Sequence, residues 1–498
     1  MPPLAGDGGV PRYQLTAPSF APAGFQQKAG DRVALSLNAP RGEAPAQTQA
    51  SLARPIDLGL VPIDYNLPDP NRNAANHFRA LGGVVFSNWI NWQFAWLFMD
   101  MAYVTSESIA RNIRIGFIWD DNSLMTNFFR HPYQGTMYYH SARGAGLSLW
   151  ESSLYTAFGS LQWEFMGETH PAAPNDFYTT TLGGVAMGEM LYRLSSEVLD
   201  DSSSGMERFW RELGGGVLAP MRLFQRLTTG DAWASGPPHE NPTPVEFELD
   251  FGVDHVRSND FGELDEFDPS FMVGLEIDYG DRLPKNDAGT FGPYEFFNAS
   301  FSAALFNSEL SGGRMFIEAV LHGWNSWLSE PDDPHPDNNI IGFSQAFDYA
   351  NSNLLELGGT GVGIANWANW RFGKDMGFRL NGDVQWLAMS GATSPFTQVT
   401  GRTYNFGMGM SGALSARLRL GRYGELGLMG KQYVVTVVDG EEGGELYGLV
   451  HGHYEIPIYK GLGLGFAPLW VYRYGAYKEV ENVRSDSFET KTYVMWKI

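Results

Sequence analysis

The 498-residue chain contains no cysteine. That absence excludes disulfides, thiolate metal sites and a cysteine nucleophile. Charge is also scarce: Asp, Glu, Lys and Arg make up 18% of the residues, against about 25% in an average soluble protein. Basic charge is scarcer still, with 34 Lys and Arg against 56 Asp and Glu, a net charge of −22. Phosphate backbones are held by basic surface, so nucleic acid is not expected as a partner. No stretch matches a phosphate-binding or dinucleotide-binding loop, and Ser141 lacks the G-x-S-x-G elbow of a serine hydrolase. The start, "MPPLAGDGGVPRYQ", has no basic and apolar leader segment. An exported protein of this sequence is therefore expected to have had its leader removed.

What the chain does have is aromatic residues, 14%, and 59 glycines, with a slightly negative mean hydropathy. The apolar residues are interleaved with polar ones rather than massed. From about residue 244 the interleaving has a period of two. In "FELDFGVDHV", Phe247, Leu249, Phe251 and Val253 share one face, and Glu248, Asp250 and Asp254 share the other. Leu275 and Ile277 alternate with Glu276 and Asp278; Phe378 and Leu380 alternate with Arg379 and Asn381. About twelve such segments run to the closing "TKTYVMWKI". A strand with one apolar and one charged face suits a cylinder with lipid outside and a polar interior, and closure removes the unpaired edges that lipid cannot satisfy. A soluble sandwich with its apolar faces inward explains the alternating terminal strand less well. The expected fold is α+β and mainly β: a helical N-terminal domain followed by an antiparallel transmembrane β-barrel of about 12 strands. In that barrel Phe247, Leu249, Phe251, Leu275, Ile277, Phe378 and Leu380 face lipid. Glu248, Asp250, Glu276, Asp278, His451, His453 and Glu455 line the lumen. Long links (391–403, 439–444, 478–486) alternate with short turns (372–375, 421–424, 457–461), and a long link at 329–338 breaks that alternation.

Residues 1–75, rich in Pro, Ala, Gly and Gln, read as an extended or disordered leader. Residues 76–235 read as a helical domain and 244–498 as the barrel. The apolar stretch 78–104 is long enough to span a bilayer. Asn88, Asn91, Gln93 and Asp100 interrupt it, which favours a helix buried in protein. Ser153, Ala157 and Ser160 form a stripe of small residues, expected to press against Gly184 and Gly188. A further helix is expected to break at Gly214–Gly216 and Pro220.

The stretches "GFIWDDN", "TNFFRHPYQGTMYYHSARGAG", "WESSLYTAFGSLQWEFMGE", "PNDFYTTTLGGVAMGEMLYRLS" and "GMERFWREL", within about 115–230, resemble a bacterial family classed as a domain of unknown function. Members of that family look like exported Gram-negative proteins with a β-rich C-terminal part; the resemblance brings no known reaction. "PNDFYTT" departs from it, lacking a Ser between Pro and Asn.

The same region holds the most concentrated chemistry: Asp120, Asp121, Asn127, His131, Glu151, Glu164 and Glu168. A histidine among carboxylates performs general acid–base work or holds a metal. As a catalytic set, His131, Glu164, Glu168 and Asp120 are the candidates, and no metal ligands are assigned. Glu151 and Glu164 are thirteen residues apart, about 220° round one helix, so they do not share a site. The plainer reading makes these groups buried pins between helices, with Arg111, Arg114, Arg143 and Arg193 as counter-charges. The H-x-H-x-E of His451, His453 and Glu455 has metal-binding spacing, yet a lumen face requires polar residues anyway. No cofactor can be named. The expected function is an outer-membrane barrel with an envelope transport or structural role, moving a small or amphiphilic molecule, with outer-membrane lipid as its partner. The alternatives are a lipid-acting enzyme built on His131 and Glu164 and a soluble periplasmic binding module.

Overall fold

The computed structural model describes residues 76–498, apart from stretches at 238–241, 261–262, 267–268, 283–288, 307–308, 329–336, 352–354, 374 and 398–401. The expected leader, and nearly all of the link 329–338, lie outside the described residues.

Among the described residues, eight α-helices precede fourteen strands. The helices are α1 (His77–Phe98), α2 (Ser106–Ile115), α3 (His131–Arg143), α4 (Leu149–Met166), α5 (Pro174–Tyr178), α6 (Gly184–Val198), α7 (Gly205–Leu218) and α8 (Pro220–Thr229). The strands are β1 (Val245–Asp260), β2 (Glu263–Glu266), β3 (Ser270–Tyr279), β4 (Thr290–Phe291), β5 (Phe297–Phe306), β6 (Glu309–Leu328) and β7 (Asn338–Asn351). They continue with β8 (Glu356–Arg371), β9 (Met376–Thr393), β10 (Tyr404–Leu420), β11 (Glu425–Asp439), β12 (Gly443–Tyr459), β13 (Leu462–Tyr477) and β14 (Val483–Lys497). Every pairing is antiparallel. β1 pairs with β3 on one side and β14 on the other, which closes a barrel of twelve strands; the short β2 and β4 hang on β1 and β6. The turn at 421–424 is tight because Gly421 and Gly424 adopt φ of 59° and 94°, where an L side chain is strained. The link expected at 439–444 shrinks to 440–442, since β12 already begins at Gly443.

Ion pairs between non-adjacent strands fix the inner face. Lys431 on β11 reaches Asp348 on β7 at 2.7 Å, and Arg379 on β9 reaches Asp278 on β3 at 2.6 Å. Arg417 on β10 reaches Glu276 on β3 at 3.2 Å, and Arg314 on β6 pairs with Glu489 on β14. With Asp348, Glu276 and Arg314 inside, alternation puts Phe347, Tyr349, Leu275, Ile277, Met315 and Ile317 outside.

Those outward residues do not all meet solvent or lipid. Ile277, Phe297, Met315, Ile317 and Phe347 are buried in one cluster with Tyr139, Val185, Met187 and Met190 of the helices. The helical region therefore packs on the outer wall of the barrel, over β3 and β5 to β10, rather than inside or beneath it. The lipid-facing assignment fails at Ile277, which is 3% exposed, and at Leu275 and Phe247, which pack against the same cluster. Polar contacts fit this covering. Outward-facing Gln345 donates to the Leu182 carbonyl at 3.0 Å and accepts from Tyr294 at 2.9 Å; in lipid its amide would be unsatisfied. Phe347 and Pro132 both close on Gly183, and Leu124 and Phe128 pack on Gly391 and Gly358. Round the rest of the wall the outward face stays exposed, as at Phe251, Val384, Trp386, Leu428, Val434, Leu464, Phe466 and Trp496.

Within the helical region α3 is the centre. Gly135 and Gly184 meet backbone to backbone: a Cβ on Gly135 would lie 2.8 Å from the Gly184 Cα. Gly188 receives the ring of Tyr139, and Gly159 of α4 receives that of Tyr138. The expected contact of Ser153, Ala157 and Ser160 with Gly184 and Gly188 is thus replaced by α3 lying between α4 and α6. α4 starts at a capping box in which Ser148 and Glu151 bond each other's backbone N–H. α7 runs through Gly214–Gly216 and ends only at Ala219 and Pro220. Asn88 of α1 does bond the Gly159 carbonyl and Gln162, both at 3.0 Å. Ala80, Gly83, Val84, Ser87 and Ala95 of α1 are buried as well, while Trp89, Phe94, Leu97 and Phe98 are exposed, so only one side of the helix is covered by protein. Among the described residues no helix is long and apolar enough to cross a membrane.

Candidate functional site

Two π-helical turns interrupt the helical bundle, Thr126–Arg130 and Thr179–Gly183. Such turns often mark functional sites. The first hands the chain to His131; the second begins three residues after Asp176. Between them lies a buried polar cluster. His131 Nε2 stands 3.3 Å from Asp176 Oδ1. The Asn175 amide donates to Asp120 at 2.6 Å, Asn127 at 2.7 Å and Asp176 at 2.8 Å. Asn127 in turn donates to the hydroxyl of Tyr404 at 3.0 Å, so the start of β10 braces the cluster. Arg402 donates to the Asp120 carbonyl at 3.3 Å, but its charge is directed to Asp439. From α4, Glu164 accepts the Ala173 N–H at 2.8 Å. His131, Glu164 and Asp176 each offer a ligand atom within 4.8 Å of the other two, and all three are buried.

The electrostatics are unusual for a buried site. Four carboxyl groups gather here, and among the described residues none forms an ion pair with Lys or Arg. Burial, reinforced by the charge of Asp176, pushes Asp120 up to about 7. Burial also pushes Asp176 to about 7, against hydrogen bonds from Asp120 and Asn175. Glu164 and Glu168 are raised well above the usual carboxylate range, by burial first and then by the charge of Asp176. Burial lowers His131 to about 4 although Asp120 pulls it upward.

The structure thus brings Asp120, His131, Glu164 and Glu168 into one neighbourhood. Asp121 is exposed and Glu151 is spent on its helix cap. The arginines expected as counter-charges are elsewhere: Arg143 and Arg193 bind Glu189 at 2.8 and 2.9 Å, and Arg111 bonds the Thr169 carbonyl. Sequence reasoning missed Asp176, Asn175 and Tyr404. The first two sit in "PNDFY", after the chain reversal at 167–173, where helical periodicity carries no phase from α4 to α5. Tyr404 lies more than 270 residues from Asn127 in sequence.

Inside the barrel, Asp250, Glu276, His451, His453 and Glu455 line a cavity of about 220 Å³. Glu248, Glu276, Asp278 and Glu455 line a vestibule of about 880 Å³ at the end where the chain enters and leaves the barrel. Glu276, Arg379, Arg417 and Glu455 border both. Toward the opposite end, Leu355, Leu357, Leu387, Tyr433, Tyr447 and Leu469 form one buried apolar cluster. Glu425, His453 and Glu455 also converge, but Arg417, Arg419 and Lys497 neutralise the two carboxylates.

Residues 116–221 match the model of the domain of unknown function DUF3943. No curated protein matches the chain. Among solved structures it is similar to an anion-selective porin from Comamonas acidovorans, with 10% identity, a TM-score of 0.23, and 51% of this chain and 100% of that one covered. It is also similar to an outer membrane channel from Pseudomonas putida F1, with 11% identity, a TM-score of 0.27, and 52% and 97% covered. The outer membrane channel DcaP of Acinetobacter baumannii gives 9% identity, a TM-score of 0.23, and 51% and 97% covered. Scores this low transfer nothing to this chain.

Proposed function

We propose that this chain is an outer-membrane β-barrel of a Gram-negative bacterium with an envelope transport role, admitting a small polar or amphiphilic molecule from one end. The observation that carries the reading is the barrel itself: twelve antiparallel strands closed by β1 and β14, apolar side chains outward, and ion pairs inward. A closed barrel leaves no strand edge for lipid to strand. Outer-membrane lipid is then the partner of the exposed arc that includes Leu428, Val434 and Phe466. The exposed Trp89, Phe94, Phe98, Phe209, Trp210 and Trp233 give the helical region an apolar outer surface as well, consistent with a module seated beside the barrel at the membrane.

The interior is a one-ended pocket rather than an open pore. The vestibule and inner cavity are charged and crossed by ion pairs, and the apolar cluster toward the other end serves as a stopper, so a permanently open cation channel is not what this geometry supports. Transport then requires the stopper to move. Purified protein in planar bilayers should carry no steady current, and Leu387→Ala with Tyr433→Ala should create one. A steady ohmic current through the unaltered protein would sink the one-ended reading. A folded monomer that stays soluble without detergent would sink the membrane reading altogether.

A further inference from the structure

We propose that His131, Asp176 and Glu164 are the ligands of a divalent first-row transition-metal ion, with Asp120 as a further oxygen donor, and that the ion ties α3, α4 and α5 together. The donors come from three separate elements: His131 begins α3, Glu164 lies in the last turn of α4, and Asp176 lies in α5. Their ligand atoms already lie within 4.8 Å of one another. A centre with bonds of about 2.0–2.2 Å places its ligand atoms roughly 3–4.3 Å apart, so side-chain adjustments of no more than about 2 Å suffice. The set is more than a patch of acid. It contains an imidazole that is only 9% exposed, whose Nδ1 has no hydrogen-bond partner among the described residues. One nitrogen among oxygens suits zinc, iron or manganese better than calcium or magnesium, which favour oxygen alone.

A second argument is charge. Elsewhere in the bundle, buried acids are matched by cations of the protein: Glu189 by Arg143 and Arg193, and Asp201 and Glu212 by Arg208 and Arg226. The site carboxylates are the exception, and a bound dication supplies what the sequence leaves out. An outer shell is in place. Asn175 holds Asp120 and Asp176, and the Ala173 N–H holds Glu164; such contacts orient ligands and tune affinity. The other convergent triad, Glu425, His453 and Glu455, already has three cations beside it and serves as the internal control.

The test uses the full chain in detergent, stripped with a chelator and titrated with Zn²⁺ and, separately, Co²⁺. One equivalent should bind per chain, the helical melting transition should rise with metal, and bound Co²⁺ should give a spectrum of mixed nitrogen and oxygen coordination. Asp176→Asn and Glu164→Gln should each weaken Zn²⁺ binding at least tenfold, while His453→Ala should leave it unchanged. X-ray absorption of the unaltered protein with bound zinc should show one histidine nitrogen among oxygens, a reading that does not depend on any variant folding. Binding well below one equivalent, an all-oxygen shell, or loss in His453→Ala with retention in Asp176→Asn would overturn the assignment.

Discussion

Two buried carboxylate groups lie in one helical bundle and live by opposite rules. Glu189 on α6 is fully buried, and it is gripped by Arg143 at 2.8 Å, Arg193 at 2.9 Å and the Tyr139 hydroxyl at 2.7 Å. Burial alone would raise it, but Arg143 and then Arg193 hold it at about 2. Asp176 is equally buried and has His131 and Asn175 for company, with no Lys or Arg ion pair among the described residues, and it rises to about 7. The first arrangement is neutral within the protein and acts as a pin. The second is short of positive charge, which is the mark of a site that takes a proton or an ion from outside.

The contrast breaks first at Glu189. Glu189→Gln removes the carboxylate that the buried Arg143 and its neighbour Arg193 share, and should cost about 3–5 kcal/mol, read as a lower midpoint in denaturant melts of the helical signal. A loss below about 1 kcal/mol would mean the pin is not one.

At Asp176 the sign should reverse. In chelator-treated protein near pH 8, Asp176→Asn removes a buried charge that the fold does not balance. It should raise stability by about 1–4 kcal/mol, the scale of a shift of one to three pKa units. Destabilisation there would show that His131 alone suffices as its partner.

Acid titration separates the two further. A carboxylate depressed in the folded state stabilises the protein above its unfolded pKa, and that gain is lost as pH falls through the folded one. The Glu189 contribution should therefore be intact above about 4.5 and disappear as pH falls toward about 2. Melting curves of the parent and Glu189→Gln should converge across that window; curves that stay parallel would contradict the pairing. The smallest effect belongs to the exposed pair Lys478 and Glu442. Lys478→Ala should change stability by no more than about 0.5 kcal/mol.

Much of this was readable from the residues. Strict alternation in segments such as 271–279 and 377–386 declares strands with one polar face, because side chains on a strand point to opposite sides in turn. The clustering of Asp120, His131, Glu164 and Glu168 was visible as chemistry in the part of the chain where the family resemblance lies. The partners were not. Asp176 joins only because the chain reverses after α4, and Tyr404 only because the barrel wall comes up against Asn127. Arg143 and Arg193 were in view as counter-charges, but helix geometry gave them to Glu189.

The sequence by itself determined that the chain turns to strands after about residue 244, that their charged faces turn inward, and that no cysteine chemistry is available. Local alternation and composition are sufficient for those conclusions. Only the tertiary structure decided what covers the outward faces. Ile277 and Leu428 are equally apolar and both point away from the lumen, yet one is 3% exposed beneath the helices and the other is 59% exposed. Lipid and a packed helix make the same demand of a side chain, the removal of apolar surface from water. Hydrophobicity alone therefore cannot distinguish them, and the difference is fixed by where Gly135, Gly184 and Phe347 bring the helices to rest.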